Sequence, residues 1–382
     1  MSPNNNRYGQ FAAACAISLM ASLAQAAPDI VYQYGGLPDI AWSNNYAGPL
    51  LYSQPRPGGI YRQARPKLPT HIRRFGPDSD NYLAAVLNQL QMPLLGQHPE
   101  DDSLVSMLCS DWHTDSADNT FYCRLDSEAR WSDGVSVTTE DIVFTFEFLS
   151  NPSSQSKHQR DAIASTIEQV NIFSERVFSI RSKQSLSSSL LRLIDMRPLA
   201  KHFYTGRRGW PAAFNALAEP STGPYHIENL SNQNRITFRK TTNWWAANRP
   251  FYVNRFNVSR IVFVRAKSAT EVIERFRSGE LDAVAINRPS NWHSEAIRAL
   301  NVDNKIALLE FTSDQGVSRY AAWQWLQLPP TMATRETTDV LDPFSLNHGG
   351  GFWINQEARI DILARPRRSD AKPLVISNRP GN

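Results

Sequence analysis

The chain has 382 residues, 41% hydrophobic and 20% charged, with 40 Lys and Arg against 36 Asp and Glu for a formal charge of +4. That length suggests two or three domains. The composition, with 18 glycines and 24 prolines, excludes a disordered, coiled-coil, collagen-like or low-complexity chain. The basic excess forms no stripe, so no nucleic-acid partner is expected, and Arg365-Pro366-Arg367-Arg368 reads as part of a solvated tail.

Residues 1–26 read as a secretory signal peptide. Arg7 precedes an apolar run from Phe11 to Leu23, and Ala24-Gln25-Ala26 offers small residues for cleavage after Ala26. The run is shorter than the ~20 residues of a bilayer span, which predicts a chain exported to the periplasm. Residues 28–69, rich in Pro, Gly and Tyr, predict a surface wrap with one short strand at 59–64. Leu83, Val86, Leu87 and Leu90 predict a helix over 81–91, with Asp78, Ser79 and Asp80 as candidate caps.

The mature chain keeps Cys109 and Cys123. An oxidising compartment permits a bridge, and the segment between them reads as strand, polar turn and strand. A turn centred near Ser116 would set the two cysteines nearly opposite, which predicts a cross-hairpin disulfide, with two free thiols as the alternative. Thr138 as N-cap and Asp141 three residues on predict a helix over 138–150 whose inner face carries Ile142, Val143, Phe146 and Leu149. Helices near 159–169 and 186–196 and a strand at 176–181 follow. From Tyr225 the period becomes two, predicting a hairpin over 225–240. A strand at 260–264, a helix capped by Ser268 with Glu271 closing a capping box, a stop at Gly279 and a strand at 281–286 make a βαβ-like unit. The fold class is therefore mixed α/β.

Catalytic signatures are sparse. The chain has no HExxH, GxSxG, P-loop or GxGxxG pattern. Ser154-Gln155-Ser156-Lys157 has the spacing of some serine acyl enzymes but sits in a polar loop without companion motifs. The eight histidines show no metal-ligand spacing, so no catalytic residue, metal or cofactor is expected. A secreted hydrolase with two facing carboxylates remains a remote alternative.

The run Arg130-Trp131-Ser132-Asp133-Gly134 through Thr138 to Asp141-Ile142-Val143-Phe144-Thr145-Phe146 resembles the signature of family 5 extracellular solute-binding proteins, the peptide- and nickel-binding components of ABC importers. Pro57-Gly58-Gly59-Ile60-Tyr61, Gly223-Pro224-Tyr225, Asn243-Trp244-Trp245 and Phe276-Arg277-Ser278-Gly279 with Asp282 follow in that family's order. Arg73 to Ser79 and Asn291-Trp292-His293 resemble the microcin C and oligopeptide branch. Most of these residues are turns, caps and strand starts, which specify fold more than ligand.

The resemblance implies a periplasmic-binding-protein-like lobe, a mixed sheet with helices, from 27–75 and 205–286. An α/β subdomain is inserted at 76–204, a truncated second lobe leaves a remnant at 287–328, and 329–382 returns to the main lobe or forms a tail. It implies a monomeric, non-enzymatic carrier of peptides or peptide-like solutes serving an inner-membrane ABC permease. A shortened paralogue that no longer binds is the open alternative. If the family's arrangement holds, residues 74–81 and 287–293 face the ligand cleft, which makes Asp78, Asn81 and Trp292 the candidate ligand-binding residues. Asp78 and Asn81 could instead serve as helix caps and Trp292 as core.

Overall fold

The computed structural model describes residues 27–286 apart from 49–57, 66, 77, 78, 80, 99–102, 155, 156, 232, 233, 254, 257 and 282, together with 306–312, 318–324, 352–354 and 360–362. The expected signal peptide lies outside the described residues.

In chain order the elements are β1 (Asp29–Tyr32), β2 (Ile60–Arg65), α1 (Asn81–Gln89), β3 (Leu95–Gln97), β4 (Leu104–Ser106), β5 (Cys109–Asp115) and β6 (Thr120–Leu125). Next come α2 (Thr139–Ser150), α3 (Lys157–Thr166), β7 (Ile167–Ile172), β8 (Val177–Ser182), α4 (Leu186–Ile194) and α5 (Lys201–Tyr204). The chain continues with β9 (Tyr225–Ser231), β10 (Arg235–Lys240), β11 (Arg260–Arg265), α6 (Ala269–Arg277) and β12 (Ala283–Ile286). Strands β13 (Ile306–Thr312), β14 (Ser318–Gln324), β15 (Phe352–Ile354) and β16 (Ile360–Ile362) complete it.

These elements form the mixed α/β architecture that the sequence predicts. A five-stranded sheet has the order β1-β7-β8-β6-β5, and a seven-stranded sheet the order β13-β14-β12-β2-β11-β10-β9. One hydrophobic core runs through both, from Phe121, Phe178 and Ile180 of the smaller sheet to Tyr61, Phe238 and Phe263 of the larger. Strands β11 and β12 flank β2 and run parallel to it, so the β11–α6–β12 unit crosses over one strand. Strand β1, from within 27–75, belongs to the smaller sheet, and β13 and β14, from within 287–328, extend the larger one.

Local chemistry accounts for the element boundaries. Helix α2 begins where Thr138, with extended backbone, donates its N–H to the Asp141 carboxylate at 3.0 Å. That carboxylate also accepts from the Lys201 N–H at 2.9 Å and the Trp131 indole at 3.3 Å. Burial pushes the Asp141 pKa up, and the three donors work in the opposite direction. At α6, Ser268 accepts from the Glu271 N–H at 3.1 Å, but the Glu271 carboxylate takes the N–H of Lys267 at 2.7 Å, so the reciprocal bond falls one residue earlier than a capping box places it.

The helix expected over 159–169 ends at Thr166, where the Ser165 and Thr166 hydroxyls both donate to the Ala162 carbonyl at 3.1 and 2.8 Å. Ile167, Val170 and Ile172 then bury in β7, between β1 and β8. Neither β7 nor β1 is marked by its own residues, because each becomes a strand through a partner distant in the chain.

Cys109 and Cys123 are bonded, with Cα atoms 5.5 Å apart. They are not in direct register: Cys123 faces Trp112 and Cys109 faces Leu125, with an irregularity between Cys109 and Asp111. The turn follows Asp115, whose carboxylate accepts from the N–H groups of Ala117 and Asp118 at 2.9 and 3.2 Å.

Thr145 links α2 to the chain beyond α4. Its buried hydroxyl donates to the Asp141 carbonyl at 2.5 Å and accepts from the Leu199 N–H at 2.9 Å. Thr145→Val keeps the shape and leaves that N–H without its acceptor. We expect a loss of about 1–3 kcal/mol, measured by urea unfolding with an unchanged m-value.

Candidate functional site

In sheets with parallel strands, ligands bind outside the carboxyl ends of those strands, where connections diverge. Here that edge is formed by the ends of β2, β11 and β12. Chain leaving β2 through residues 67–76 continues from it.

Buried cations hold the first of these segments. The Arg74 guanidinium meets Glu219 in two parallel bonds, Nε to Oε2 at 2.8 Å and Nη2 to Oε1 at 2.6 Å, while Nη1 donates to Asn88 Oδ1 at 3.0 Å. The two partners' side chains are 2% and 9% exposed, so the charges compensate each other away from water. Burial works against the charged form of Arg74, and the Glu219 carboxylate more than offsets it, so the pKa lies above the ordinary arginine value. Burial, followed by the same carboxylate, raises the Tyr204 phenol well above its ordinary range.

Arg73 donates from Nε to Asn215 Oδ1 and from Nη1 to the Phe75 carbonyl, both at 2.6 Å. Gly76 then takes φ +115°, and a Cβ there would lie 2.2 Å from Arg73 Nη1. The left-handed backbone and the guanidinium beside it both require glycine. Its N–H donates to the carbonyl of Ser154 at 2.9 Å. Ser154 is thereby a buried turn residue after α2.

Of the residues chosen from sequence, Asp78 and Trp292 lie outside the described residues. Asn81 opens helix α1, and its side chain lies outside them as well. A residue the sequence reading passed over is Gln63, toward the carboxyl end of β2. It is 4% exposed, and its Oε1 has no hydrogen-bond partner among the described residues. In register it lies between Phe263 and Ala283. The available signal was the alternation along Ile60–Arg65, which sets Gln63 on the same buried face as Tyr61.

Cavities among the described residues also lie elsewhere. One of about 410 Å³ is lined by residues including Arg124, Asp126, Glu128, Arg176 and Arg249. Its charges already have partners: Arg249 meets Asp126 at 2.5 Å and Glu128 at 3.2 Å, Arg124 meets Asp111 at 3.6 Å, and Arg176 donates to the Asp126 carbonyl at 3.0 Å. Another, of about 380 Å³, lies among Trp131, Ser221 and Trp245. Among the described residues no three His, Cys, Asp or Glu side chains come together as a metal site. No helix among them is long and apolar enough to cross a membrane.

Residues 103–324 match the family described as bacterial extracellular solute-binding proteins, family 5, middle region. A Brucella melitensis protein described only as a binding protein is 25% identical over 204 residues, 53% of this chain and 32% of that protein. The peptidoglycan-binding protein YepA of Agrobacterium fabrum is 24% identical over 189 residues, 50% of this chain and 30% of its own length. Among solved structures, the oligopeptide-binding protein AppA from Bacillus subtilis, in complex with a nonapeptide, superposes with a TM-score of 0.54 at 15% identity, covering 67% of this chain and 48% of that one. The chain thus spans about a third of these curated relatives and about half of AppA.

Proposed function

The chain belongs to family 5 of the bacterial extracellular solute-binding proteins, and on that premise we propose that it is a solute-binding component of an ABC importer, carrying peptides or peptide-like solutes. The family match over residues 103–324 carries this reading. AppA, bound to a nonapeptide, shares the fold, and the peptide-like class of solute rests on it. In this reading the protein is a monomeric, non-enzymatic carrier in the periplasm that delivers ligand to an inner-membrane permease. The seven-stranded sheet is the framework of the main lobe and the five-stranded sheet that of the inserted subdomain.

The proposed binding edge is the carboxyl end of β2, β11 and β12, and Asp78, Asn81 and Trp292 stay the proposed ligand-binding residues from sequence. An extended peptide brings unpaired backbone N–H and C=O groups, which lose water on binding and need partners. The buried Gln63 Oε1 is an acceptor of that kind. Its carbonyl would accept a ligand N–H, and the Arg73 and Arg74 anchors would keep the neighbouring segment in place. Calorimetry of the 382-residue chain against a mixed pool of short peptides tests the function. Saturable heat that weakens at least tenfold in Gln63→Leu, equivalent to about 1.4 kcal/mol, supports both function and site. Heat unchanged by Gln63→Leu removes that residue from the site, and absence of heat removes the peptide reading.

A further inference from the structure

The geometry points to a second binding site, for a neutral saccharide ring, in the cavity of about 380 Å³ between the Arg130–Gly134 turn and the Thr241–Trp245 turn. It is independent of the peptide-carrier reading and lies at the other end of the sheet. The Thr241–Trp245 segment follows β10, whose Arg239 pairs with Arg260 at the start of β11. The carboxyl ends of β2 and β11 lie at the opposite edge.

The lining is built. Consecutive side chains of extended chain point apart, yet the indoles of Trp244 and Trp245 both donate to one carbonyl, that of Thr222, at 2.8 and 3.1 Å. The turn before them permits this, with Asn243 in the left-handed region at φ +53°. Across the cavity, Ser132 ties the Arg130–Gly134 turn to Ser221, the residue before the Thr222 whose carbonyl holds both indoles. The Ser132 N–H donates to the Ser221 carbonyl at 2.7 Å, and the Ser221 N–H donates to the Ser132 hydroxyl at 3.0 Å. The Trp131 N–H is taken by the Val135 carbonyl at 2.8 Å, and its indole by Asp141. The frame therefore uses its own polar groups internally.

What remains for a ligand is specific. Trp131 and Trp244 are buried, while Trp245 is half-buried with its indole N–H occupied, so it offers ring surface. Around it stand the exposed side chains of Thr242 and Asn243, which make no hydrogen bond among the described residues. The half-buried Arg130 is also there, with a single side-chain bond, to Ser136. An amide, a hydroxyl and a guanidinium supply both donors and acceptors at the rim of an aromatic surface. A pyranose matches this combination, because one of its faces is C–H and its rim is hydroxyl. No carboxylate lines the cavity, which disfavours a cationic ligand. The single arginine, already bonded once, gives an anion only one charged partner. The volume falls within the usual range for small-molecule sites, about 300–1,000 Å³.

The test is a titration of the full chain with chitotriose and with maltotriose, reading the indole N–H resonances. Addition of at least one of them to about 10 mM should shift the Trp245 signal in a saturable way. Thr242→Tyr, at an exposed position that holds nothing in the fold, should fill the mouth and abolish the shift. Asn243→Gly keeps the left-handed turn and removes the amide, and should weaken binding about tenfold. A response to chitotriose alone would assign an N-acetylated sugar, and a response to both a generic ring. No shift with either sugar, or a shift unchanged in Thr242→Tyr, would overturn the site. Peptide heat measured on Thr242→Tyr should match the parent chain, which separates failure of this site from failure of the carrier function.

Discussion

Replacing Glu219 with glutamine should destabilise the protein by about 3–5 kcal/mol, the usual cost of leaving one member of a buried ion pair alone. The Arg74 guanidinium would stay where it is, fully enclosed, with no carboxylate to offset its charge and one of its two bonds to position 219 lost, since the glutamine amide has a single acceptor oxygen. The low exposure of both partners prevents water from making up the loss. Removing both charges should cost much less, since a well-packed apolar pair of similar volume often matches or exceeds a buried ion pair. The double variant Arg74→Met with Glu219→Leu is therefore expected to recover most of the stability lost in Glu219→Gln. Urea unfolding of the three proteins checks this. A Glu219→Gln variant within about 0.5 kcal/mol of the parent, the scale of ordinary surface changes, would show that the pair is not sealed from solvent. Because Arg74 connects the segment after β2 to helix α1, the single variant should also loosen the edge where the peptide is proposed to bind. The double variant should bind more nearly as the parent does.

Removing the Cys109–Cys123 bridge should cost a comparable amount. The bond joins residues separated by 14 positions, and a loop of that size restricts the unfolded chain by about 3 kcal/mol in the chain-entropy account. Both cysteines are fully buried, so substitution also removes packed sulfur from the core. The double variant Cys109→Ala with Cys123→Ala, unfolded beside the oxidised parent, is expected to lose about 2–4 kcal/mol. Thiol titration of the denatured, unreduced protein should find neither cysteine free. Two reactive thiols, or a stability change below about 0.5 kcal/mol, would contradict the structural role assigned to the bridge.

What the sequence alone determined is local. The α2 boundary follows from Thr138 and Asp141, a cap and an acceptor three residues apart, and the 225–240 hairpin follows from alternation around a polar turn. The β11–α6–β12 order follows from a cap at Ser268 and a stop at Gly279. Each signal is complete within a few residues, because a helix end or a tight turn satisfies its backbone groups from its immediate neighbours. The family motifs were legible for the same reason, being caps, turns and strand starts.

Tertiary structure alone decided the rest. Strand β1 exists by pairing with β7, and β7 by filling the gap beside β8. Nothing in Asp29-Ile30-Val31-Tyr32 names that partner. Arg74 and Glu219 look like ordinary surface charges in sequence, and they become a buried pair only because the segment after β2 and the chain before β9 meet, with Asn88 of α1 as the third partner. Trp244 and Trp245 stand in the sequence only as part of a family element, yet a left-handed Asn243 turns both indoles onto one carbonyl and leaves Trp245 half-buried at a cavity. In each case the deciding quantity is a desolvated contact between residues far apart in the chain. Its free energy depends on which surfaces the fold brings together, and a window of sequence carries no record of that.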